Sequence, residues 1–556
     1  MQRRGTQSTR SASYPPVWIA LITIAVVVLV QLAPDLARTD FFREEGRRVV
    51  PAREMLETGN WSLPTIWHHP YLSKPPGMYW ILAASFRLAG GVSELAARLP
   101  SLFATLLTAF GIFFMSRRSF GGRAGLIGAL LFVLSIEAQS KGRLAEIEAP
   151  LACFVFFAVS CWWIGRRGSI GWSLLSGLFL GAAILCKGPA ALLYFIGPAL
   201  ALALARRERS YVISWRFAVP LALGLVLAGS WVLMLFREIG SSQAMAHWAS
   251  EISGQGGRTL AAYISERFNF VFGSLLAFAP ASFVVLLVWK TPLARRLWSD
   301  DNVAFAFWSA AAGWAFFLLF PGTNVRYAFP GLPFVALLGG VLLNEALQAL
   351  PSGEKAGPFA RRLHHLATGF MVLGALVIVA SVIGAFLPLG EVETDGIGIT
   401  LAVLLFVLLL GILRLRSPVR DAVSLVLIPL LIGQLFLTQV GAATTERHRR
   451  KHLAAELDLV LPEGVPLHVG FWLNFNALLY VEHEVRYTPE LKDVPAGSWL
   501  LLTADQIRRL EERGSQASIR YVEDRRMAFW LGERVLVRVQ TDTDDGGESE
   551  PGSAPE

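Results

Sequence analysis

Ionisable side chains gather at four places beside apolar runs, where charge is costly to bury. The first, FFREEGRRVV at residues 41–50, places Glu44 and Glu45 next to Arg47 and Arg48. A carboxylate in such a group can accept a proton, while guanidinium groups bind an anionic substrate. The alternative is an exposed helical turn held by pairs such as Glu44–Arg48, each contributing about 0.2–0.5 kcal/mol. The residue types alone leave these two interpretations evenly balanced.

Three further clusters combine charge with Pro, Gly or a helix start. They are Lys74 before Pro75 and Pro76; Arg143, Glu146 and Glu148 in KGRLAEIEAPL; and Lys187 in CKGPA with Arg326 in TNVRYAFPGLP. Two prolines keep the backbone after Lys74 extended, which suits an ammonium group fixed at headgroup depth to bind a phosphate. The alternatives are a snorkelling Lys74, a Glu148 that only complements the dipole of a helix, and cations at Lys187 and Arg326 without a role.

The elements that must position these residues are membrane helices. The 556 residues are 54% hydrophobic and 17% charged, with a mean hydropathy of +0.50. In soluble chains roughly 45–50% of the residues are apolar and about 25% are charged. Apolar runs of spanning length predict about thirteen transmembrane helices. They lie near 16–33, 98–116, 124–138, 148–165, 170–186, 189–205, 217–236, 269–289, 303–320, 328–349, 367–388, 397–413 and 420–440. The three cysteines lie in these apolar runs and are predicted to be inert core residues.

Lys and Arg concentrate in alternate short loops, from Arg117 and Arg118 to Arg414 and Arg416, which predicts that these loops are cytoplasmic. The net charge of +8 is thereby explained without a nucleic-acid partner. The four clusters then face the outside of the membrane. The first span is too long for a signal peptide and is predicted to be a retained anchor. One basic segment, ERHRRKH at 446–452, would face outside, against the rule that Lys and Arg concentrate on the cytoplasmic side.

The chain therefore divides into a few predicted regions. They are a cytoplasmic tail at 1–15, a transmembrane domain at 16–440 with long outer loops at 34–97 and 237–268, a soluble α/β domain at 441–540 and a disordered acidic tail at 541–556. In the first loop, PAREMLETG predicts an amphipathic helix on the outer surface, with Pro51 at its first position and Gly59 past its end. In the soluble domain, PLHVGFW, SWLLLT, ASIRYVE, MAFWLG and RVLVRV predict strands, and ADQIRRLEERG predicts a helix between Thr503 and Gly514.

Together the clusters resemble the GT-C fold glycosyltransferases that use polyprenyl-phosphate sugars, which include the aminoarabinose transferases of lipid A and the protein-mannosyltransferase-like enzymes (the glycosyltransferase family 39 type). The resemblance spans about residues 35–340. The family's first outer loop opens with an acidic pair followed by Arg, then REML and a GDW-type turn; here these are EEGRR, REML and GNW. Its KPP, acidic, KGP and Y-x-x-P-x-x-P motifs match Lys74, Glu148, Lys187 and Tyr327 in the same order.

This resemblance implies an inverting transfer of a hexose or pentose, with Glu44 as the catalytic base and Glu148 as a second acidic site residue. Arg47, Arg48, Lys74, Arg326 and Tyr327 would bind the donor phosphate, and Glu45, Arg143, Glu146 and Lys187 are further site candidates. The family aspartates are glutamates here, and Arg48 replaces a tyrosine. Ser73 stands where some relatives carry a Glu directed at a metal, so we expect no resident cofactor; a divalent cation is the less favoured alternative.

The resemblance also implies partners and a location. We expect a polyprenyl-phosphate sugar donor, surrounding membrane lipids, no nucleic acid, and an acceptor hydroxyl on a glycolipid, a glycan or a protein. The expected role is modification of lipopolysaccharide or another cell-envelope glycan, in a multi-pass protein of the bacterial inner membrane whose active site and C-terminal domain face the periplasm. The alternatives are a transporter or lipid flippase, whose sites lie near the bilayer midplane, and a scaffold protein.

Overall fold

The protein is described by a computed structural model in which two compact units are formed from interleaved parts of the chain. The helical unit comprises residues 1–38 and 73–445, and the sheet unit comprises 39–72 and 446–556. The structure describes residues 16–34, 36–253, 259–287, 299–320, 322–349, 358–386, 413, 420, 421, 424, 428, 449–470, 475–488, 494, 495, 498–503, 521–529 and 532–539.

The helical unit is a bundle of apolar helices connected by short turns. Its helices are Val17–Leu32, Gly77–Ala89, Glu94–Phe120, Gly122–Val133, Ile136–Lys141, Glu148–Gly165, Ile170–Lys187, Ala190–Arg206, Trp215–Ile239, Ser241–Ser253, Leu260–Ala277, Ala281–Leu287, Asp301–Leu319, Leu332–Ala349 and Pro358–Phe386. Two 3₁₀ segments, Arg209–Tyr211 and Val325–Gly331, lead into the helices that follow them. This arrangement confirms a polytopic α-helical membrane protein.

In the described part of the chain, six helical segments are long and apolar enough to cross a membrane. They are Glu94–Phe120, Glu148–Gly165, Ile170–Lys187, Arg209–Ile239, Asp301–Leu319 and Val325–Glu345. Shorter apolar helices, Val17–Leu32, Gly122–Val133, Ala190–Arg206 and His364–Leu376, coincide with further predicted spans. The last two predicted spans, 397–413 and 420–440, lie almost wholly outside the described residues, so the total of thirteen stays a prediction.

One predicted span is wrong in its extent. The apolar run at 269–289 is divided between Leu260–Ala277 and Ala281–Leu287. Pro280 lies at the division, and proline interrupts a helix because it has no amide hydrogen and its ring collides with the preceding turn. The second long loop predicted at 237–268 is also largely helical, since it contains Ser241–Ser253 and the first turns of Leu260–Ala277.

The sheet unit combines the first predicted outer loop with the C-terminal segment. Residues 39–72 provide the helix Gly46–Thr58 and a hairpin of strands β1 (Thr65–Ile66) and β2 (His69–Pro70). The C-terminal part provides the helices Arg449–Val460 and Phe475–Leu478 and the strands β3 (Leu467–Val469), β4 (Val485–Tyr487), β5 (Trp499–Thr503), β6 (Tyr521–Phe529) and β7 (Gly532–Val539). These five strands pair in the order β4-β3-β5-β7-β6, with β3 parallel to both neighbours and β7 antiparallel to both of its own.

The two parts of the sheet unit share one hydrophobic core. Val50, Ile66 and Trp67 from the first part pack in the same cluster as Leu457 and Leu501. The backbone amide of Tyr487 in β4 also donates to the Trp67 carbonyl at 3.1 Å. The face of the Gly46–Thr58 helix that contains Val50 is therefore buried in protein and is not available to lipid. The predicted domain boundaries, which separate these two parts, stay a prediction.

Some of the helix ends and strands that were predicted from the sequence of the sheet unit agree with the structure, and others do not. Gly59 ends the Gly46–Thr58 helix with φ +71°, as predicted. The prediction for Pro51 is wrong, because the helix begins five residues earlier and Pro51 lies inside it. ASIRYVE and MAFWLG contribute to one continuous strand, β6, instead of two. The predicted helix at 504–514 and the terminal tails at 1–15 and 541–556 lie outside the described residues.

Candidate active site

Glu44 lies on a turn that precedes the helix Gly46–Thr58 in the sheet unit. Its Oε2 is 3.5 Å from Arg47 Nη1 and 3.6 Å from Arg48 Nη2, so two guanidinium groups flank one carboxylate oxygen. The Glu44 side chain keeps 28% of its surface exposed, whereas that of Arg48 keeps 7%. Three of the predicted residues are thus brought together, and the carboxylate remains accessible to a reactant.

Glu45 has a different environment, although it is the next residue. It is fully buried, and its Oε2 accepts a hydrogen bond from the backbone amide of Phe42 at 2.9 Å. This bond closes the turn from within. Of the two adjacent glutamates, Glu44 is therefore the one placed to act on a bound molecule, and Glu45 shapes the turn.

A second group forms in the helical unit, where three helix ends meet. Glu148 begins the helix Glu148–Gly165, Lys187 ends the helix Ile170–Lys187, and Arg326 lies in the 3₁₀ segment Val325–Gly331. The Oε1 atom of Glu148 is 3.4 Å from Lys187 Nζ and 3.9 Å from Arg326 Nε. Lys187 Nζ also lies 4.7 Å from the ring centroid of Tyr327, within the range of a cation–π contact. Two cations therefore face one buried carboxylate.

The other predicted residues of KGRLAEIEAPL make contacts of their own. Glu146 is buried and accepts a hydrogen bond from Lys141 at 2.5 Å. Arg143 Nη2 donates to the Pro34 carbonyl at 2.5 Å, which ties this segment to the chain just after the first helix. These contacts give Glu146 and Arg143 structural partners, and their predicted part in the site stays a prediction.

Lys74 lies on a segment that packs against the one containing Lys187. A side-chain carbon at Gly77 would lie 2.7 Å from the backbone carbonyl of Leu185, so the two segments approach more closely than any larger residue allows. The ring of Pro75 likewise lies beside Gly188. The Lys74 ammonium group donates to Ser73, at 2.8 Å to its carbonyl and 3.3 Å to its hydroxyl. KPP and KGP, which are separate in sequence, are thus adjacent in the fold.

Two residues near this group were not identified from the sequence. The hydroxyl of Tyr194 donates to the backbone carbonyl of Tyr327 and so supports the 3₁₀ segment from behind. Arg267 Nη1 donates to the carbonyls of Leu318 and Phe320, at 2.8 and 2.5 Å, and its Nη2 donates to Thr323 at 2.9 Å. The phenol of Tyr194 lies inside an apolar run and needs a polar partner, and that requirement was the available signal for this residue. Arg267 lies in the predicted outer loop 237–268 and gave no such signal.

Within the described ranges, no group of three or more His, Cys, Asp and Glu side chains is arranged to hold a metal ion. Glu44, Arg47 and Arg48 belong to the sheet unit, whereas Lys74, Glu148, Lys187, Arg326 and Tyr327 belong to the helical unit. Their joint action in one reaction, like each assigned role, stays a prediction.

Comparison with known proteins shows what this bundle of helices is similar to. Residues 73–233 match the family described as dolichyl-phosphate-mannose-protein mannosyltransferase. The matched region contains Lys74, Glu148 and Lys187. This match, together with the relatives below, confirms the resemblance to GT-C membrane glycosyltransferases and supports neither a transporter nor a flippase.

Several of the relatives are named aminoarabinose transferases. The undecaprenyl phosphate-alpha-4-amino-4-deoxy-L-arabinose arabinosyl transferase of Edwardsiella ictaluri is 28% identical over 239 residues, which cover 41% of this chain and 43% of that protein. Its counterpart in Shewanella sediminis is 23% identical over 354 residues, which cover 61% of this chain and 62% of that protein. The aligned regions thus span about half the length of these curated relatives.

A solved structure extends the similarity of fold over nearly the whole chain. ArnT from Cupriavidus metallidurans, bound to undecaprenyl phosphate, superimposes with a TM-score of 0.67 at 19% identity. The match covers 94% of this chain and 97% of that one. The predicted fold class, a GT-C helical membrane protein, is therefore confirmed.

Proposed function

We propose that the protein is an integral-membrane glycosyltransferase that moves a sugar from a polyprenyl-phosphate donor to an acceptor hydroxyl, with inversion at the anomeric carbon. The observation that carries this proposal is the group of Glu148, Lys187, Arg326 and Tyr327, formed where three helix ends meet. Lys187 and Arg326 face the Glu148 carboxylate there, at 3.4 and 3.9 Å. A group of this kind is suited to bind an anion where the helix ends meet.

The donor phosphate is the leaving group, and its negative charge grows as the bond to the sugar breaks. Preorganised cations stabilise a developing charge better than water does, because they need no rearrangement during the reaction. We assign this role to the cations Lys74 and Arg326 of the helical unit, with the Tyr327 hydroxyl as an uncharged hydrogen-bond donor to the same phosphate. Glu148 holds Lys187 and Arg326 in place through the contacts described above.

Glu44 is the proton acceptor in this proposal. Its carboxylate removes the proton from the acceptor hydroxyl while the hydroxyl oxygen forms a bond with the anomeric carbon of the sugar. The bond from that carbon to the phosphate oxygen breaks at the same time, and its electron pair leaves with the polyprenyl phosphate. The exposed fraction of Glu44 and the buried position of Glu45 favour Glu44 for this role.

The proposed substrates are chosen from the class of relatives and from the chemistry of the group of Glu148, Lys187, Arg326 and Tyr327. The donor is a polyprenyl-phosphate-linked hexose or pentose, as in relatives that use undecaprenyl phosphate-linked aminoarabinose. The acceptor is a hydroxyl of a glycolipid, a glycan or a protein. We place the protein in the bacterial inner membrane with the reaction on the periplasmic side, in agreement with the distribution of Lys and Arg among its loops.

The test begins with a strain that lacks this protein. Mass spectrometry of its envelope lipids, glycans and proteins identifies the species that loses a sugar, and expression of the wild-type protein restores it. We expect Glu44→Gln to lower the rate of restoration by roughly 10²–10⁴-fold, because general-base catalysis contributes about that much. Glu57→Gln is the matched control, since Glu57 lies near the C-terminal end of the helix Gly46–Thr58 and contacts Arg53 at 3.5 Å.

Equal amounts of each variant in the membrane make the comparison valid. Wild-type restoration by Glu44→Gln would refute Glu44 as the base. A deletion strain whose only change is the accumulation of an intact lipid-linked sugar on the cytoplasmic side would favour a flippase instead.

A further inference from the structure

The turn that carries Glu44 has a backbone conformation that its own residues do not favour. Arg43 has φ +55°, in the left-handed region that side chains other than glycine rarely adopt. The helix that follows begins without a capping side chain from its neighbouring residue Glu45, although the first amides of a helix need acceptors. The bond between Glu45 and the Phe42 amide lies within the turn, so the Arg43 carbonyl and the first amide of the helix depend on contacts from elsewhere.

Asn476 provides these contacts from a position 430 residues later in the chain. Its Nδ2 donates to the Arg43 carbonyl at 3.0 Å, and its Oδ1 accepts from the Gly46 amide at 2.8 Å. One buried side-chain amide therefore bonds the backbone on both sides of Glu44 and Glu45. The second bond also caps the Gly46–Thr58 helix, whose own sequence supplies no cap.

Neighbouring residues of the C-terminal part hold the approach to the turn. The Phe41 amide donates to the Tyr480 hydroxyl at 2.8 Å, and Arg450 Nη1 donates to the Phe41 carbonyl at 2.7 Å. The rings of Phe41 and Tyr480 are stacked with their centroids 5.9 Å apart. The backbone before Glu44 is thus fixed by Tyr480 and Arg450, and the turn itself is fixed by Asn476.

We infer that Asn476 is a positioning residue for the reaction: its side-chain amide holds the 43–46 turn so that the Glu44 carboxylate points at the acceptor hydroxyl. This inference rests on the proposed function, in which Glu44 is the base. It assigns the C-terminal part of the sheet unit a role in transfer that acts through the position of Glu44. A base displaced by about 1 Å can lose roughly 10²-fold in rate, so the expected effect is large.

The test compares Asn476→Ala with the wild type in the complemented deletion strain. We expect the rate of sugar restoration, per amount of protein in the membrane, to fall roughly 10- to 100-fold. Binding of undecaprenyl phosphate to the purified full-length protein should remain unchanged, with Lys74→Ala as the positive control for lost binding. Asp458→Ala is the matched control, because Asp458 also holds a turn of this unit, by accepting from the Glu482 amide at 3.1 Å.

A double-mutant cycle separates positioning from general support of the fold. In the Glu44→Gln background, Asn476→Ala should have little further effect, because no base remains to be positioned. An additional 10-fold loss in that background would mean a merely structural role and would overturn the inference. Wild-type restoration by Asn476→Ala would also overturn it, while leaving the proposed function intact if Glu44→Gln is inactive.

Asn476→Asp covers the case in which Asn476→Ala fails to accumulate. Aspartate keeps an acceptor for the Gly46 amide but lacks the donor for the Arg43 carbonyl. A fall in the restoration rate with unchanged binding of undecaprenyl phosphate supports the inference, and a wild-type rate overturns it. If Glu44→Gln itself restores the sugar at the wild-type rate, the assignment of Glu44 as the base in the proposed function has failed, and that result is distinct from a failure confined to Asn476.

Discussion

At the scale of single residues, Glu54 is a buried carboxyl group that serves the hairpin of β1 and β2. Its Oε2 accepts a hydrogen bond from the Thr65 hydroxyl, and its Oε1 accepts from the His68 amide at 3.3 Å. Trp67 and His68 both have positive φ, at 52° and 63°, so this turn benefits from a side chain that holds it. Burial raises the pKa of Glu54 above its ordinary value of 4.5, against smaller opposing effects of Thr65 and His68.

This raised pKa predicts a loss of stability with rising pH. The folded protein binds the Glu54 proton more tightly than the unfolded chain does, so stability falls as pH rises above about 4.5 toward the folded pKa. Glu54→Gln, which is neutral at every pH, should flatten this part of the dependence. Thermal unfolding of the purified protein between about pH 4 and about pH 7 measures it, with Glu57→Gln as the exposed control. Parallel curves for wild type and Glu54→Gln would contradict the assignment.

The individual site residues show what could be predicted from sequence at this scale. The charged groups themselves stood out, because Glu44, Arg47, Glu148 and Lys187 interrupt apolar surroundings. The difference between Glu44 and Glu45 could not be predicted, since it depends on which carboxylate turns toward the Phe42 amide. Asn476 gave no signal either, because an asparagine in a soluble segment is unremarkable until its partners 430 residues away are known.

At the scale of elements, close contact between two helices depends on small residues. A side-chain carbon at Gly177 would lie 2.8 Å from Leu223 Cβ, and one at Gly224 would lie 2.9 Å from Leu180 Cγ. The helices Ile170–Lys187 and Trp215–Ile239 therefore approach each other through alternating glycine and leucine. In a membrane such contacts replace the hydrophobic driving force, which lipid does not provide between helices.

Gly177→Val should destabilise this helix pair, because a larger side chain cannot enter the space that Leu223 occupies. Overpacking of this kind costs about 1–3 kcal/mol. We expect a lower midpoint of thermal unfolding for the purified protein in detergent. Gly229→Val is the matched control, since a side-chain carbon at Gly229 on the Trp215–Ile239 helix has no neighbour within 4 Å. Equal destabilisation by the two substitutions would show that helix propensity, and not packing, is responsible.

The elements themselves were largely predictable where hydrophobicity decides them. Apolar runs coincide with the described helices from Val17–Leu32 to Pro358–Phe386, because a membrane helix must satisfy its own backbone. The errors arose at prolines. Pro280 divides one predicted span, whereas Pro51 lies inside a helix that was predicted to begin at it. A proline alone therefore does not tell whether it begins, breaks or continues a helix.

At the scale of the whole molecule, the sheet unit is assembled from segments that are far apart in the sequence. Val50 and Trp67 come from residues 39–72, and Leu457 and Leu501 come from the C-terminal part, yet they share one core. The sequence suggested an outer loop and a separate soluble domain, because apolar runs mark membrane boundaries but carry no information about which exposed segments pack together. The position of the proposed base on one of these segments makes that packing relevant to function.

This shared core predicts that a change in the first segment destabilises strands of the second. Trp67→Ala removes a buried side chain whose loss costs about 3–5 kcal/mol, so amide hydrogen exchange should accelerate in β3 and β5. Exchange in the helix Glu148–Gly165 of the helical unit should stay at its wild-type rate. Trp61→Ala is the matched control, because Trp61 keeps 37% of its surface exposed. Unchanged exchange in β3 and β5 would show that residues 39–72 and the C-terminal strands are stabilised independently.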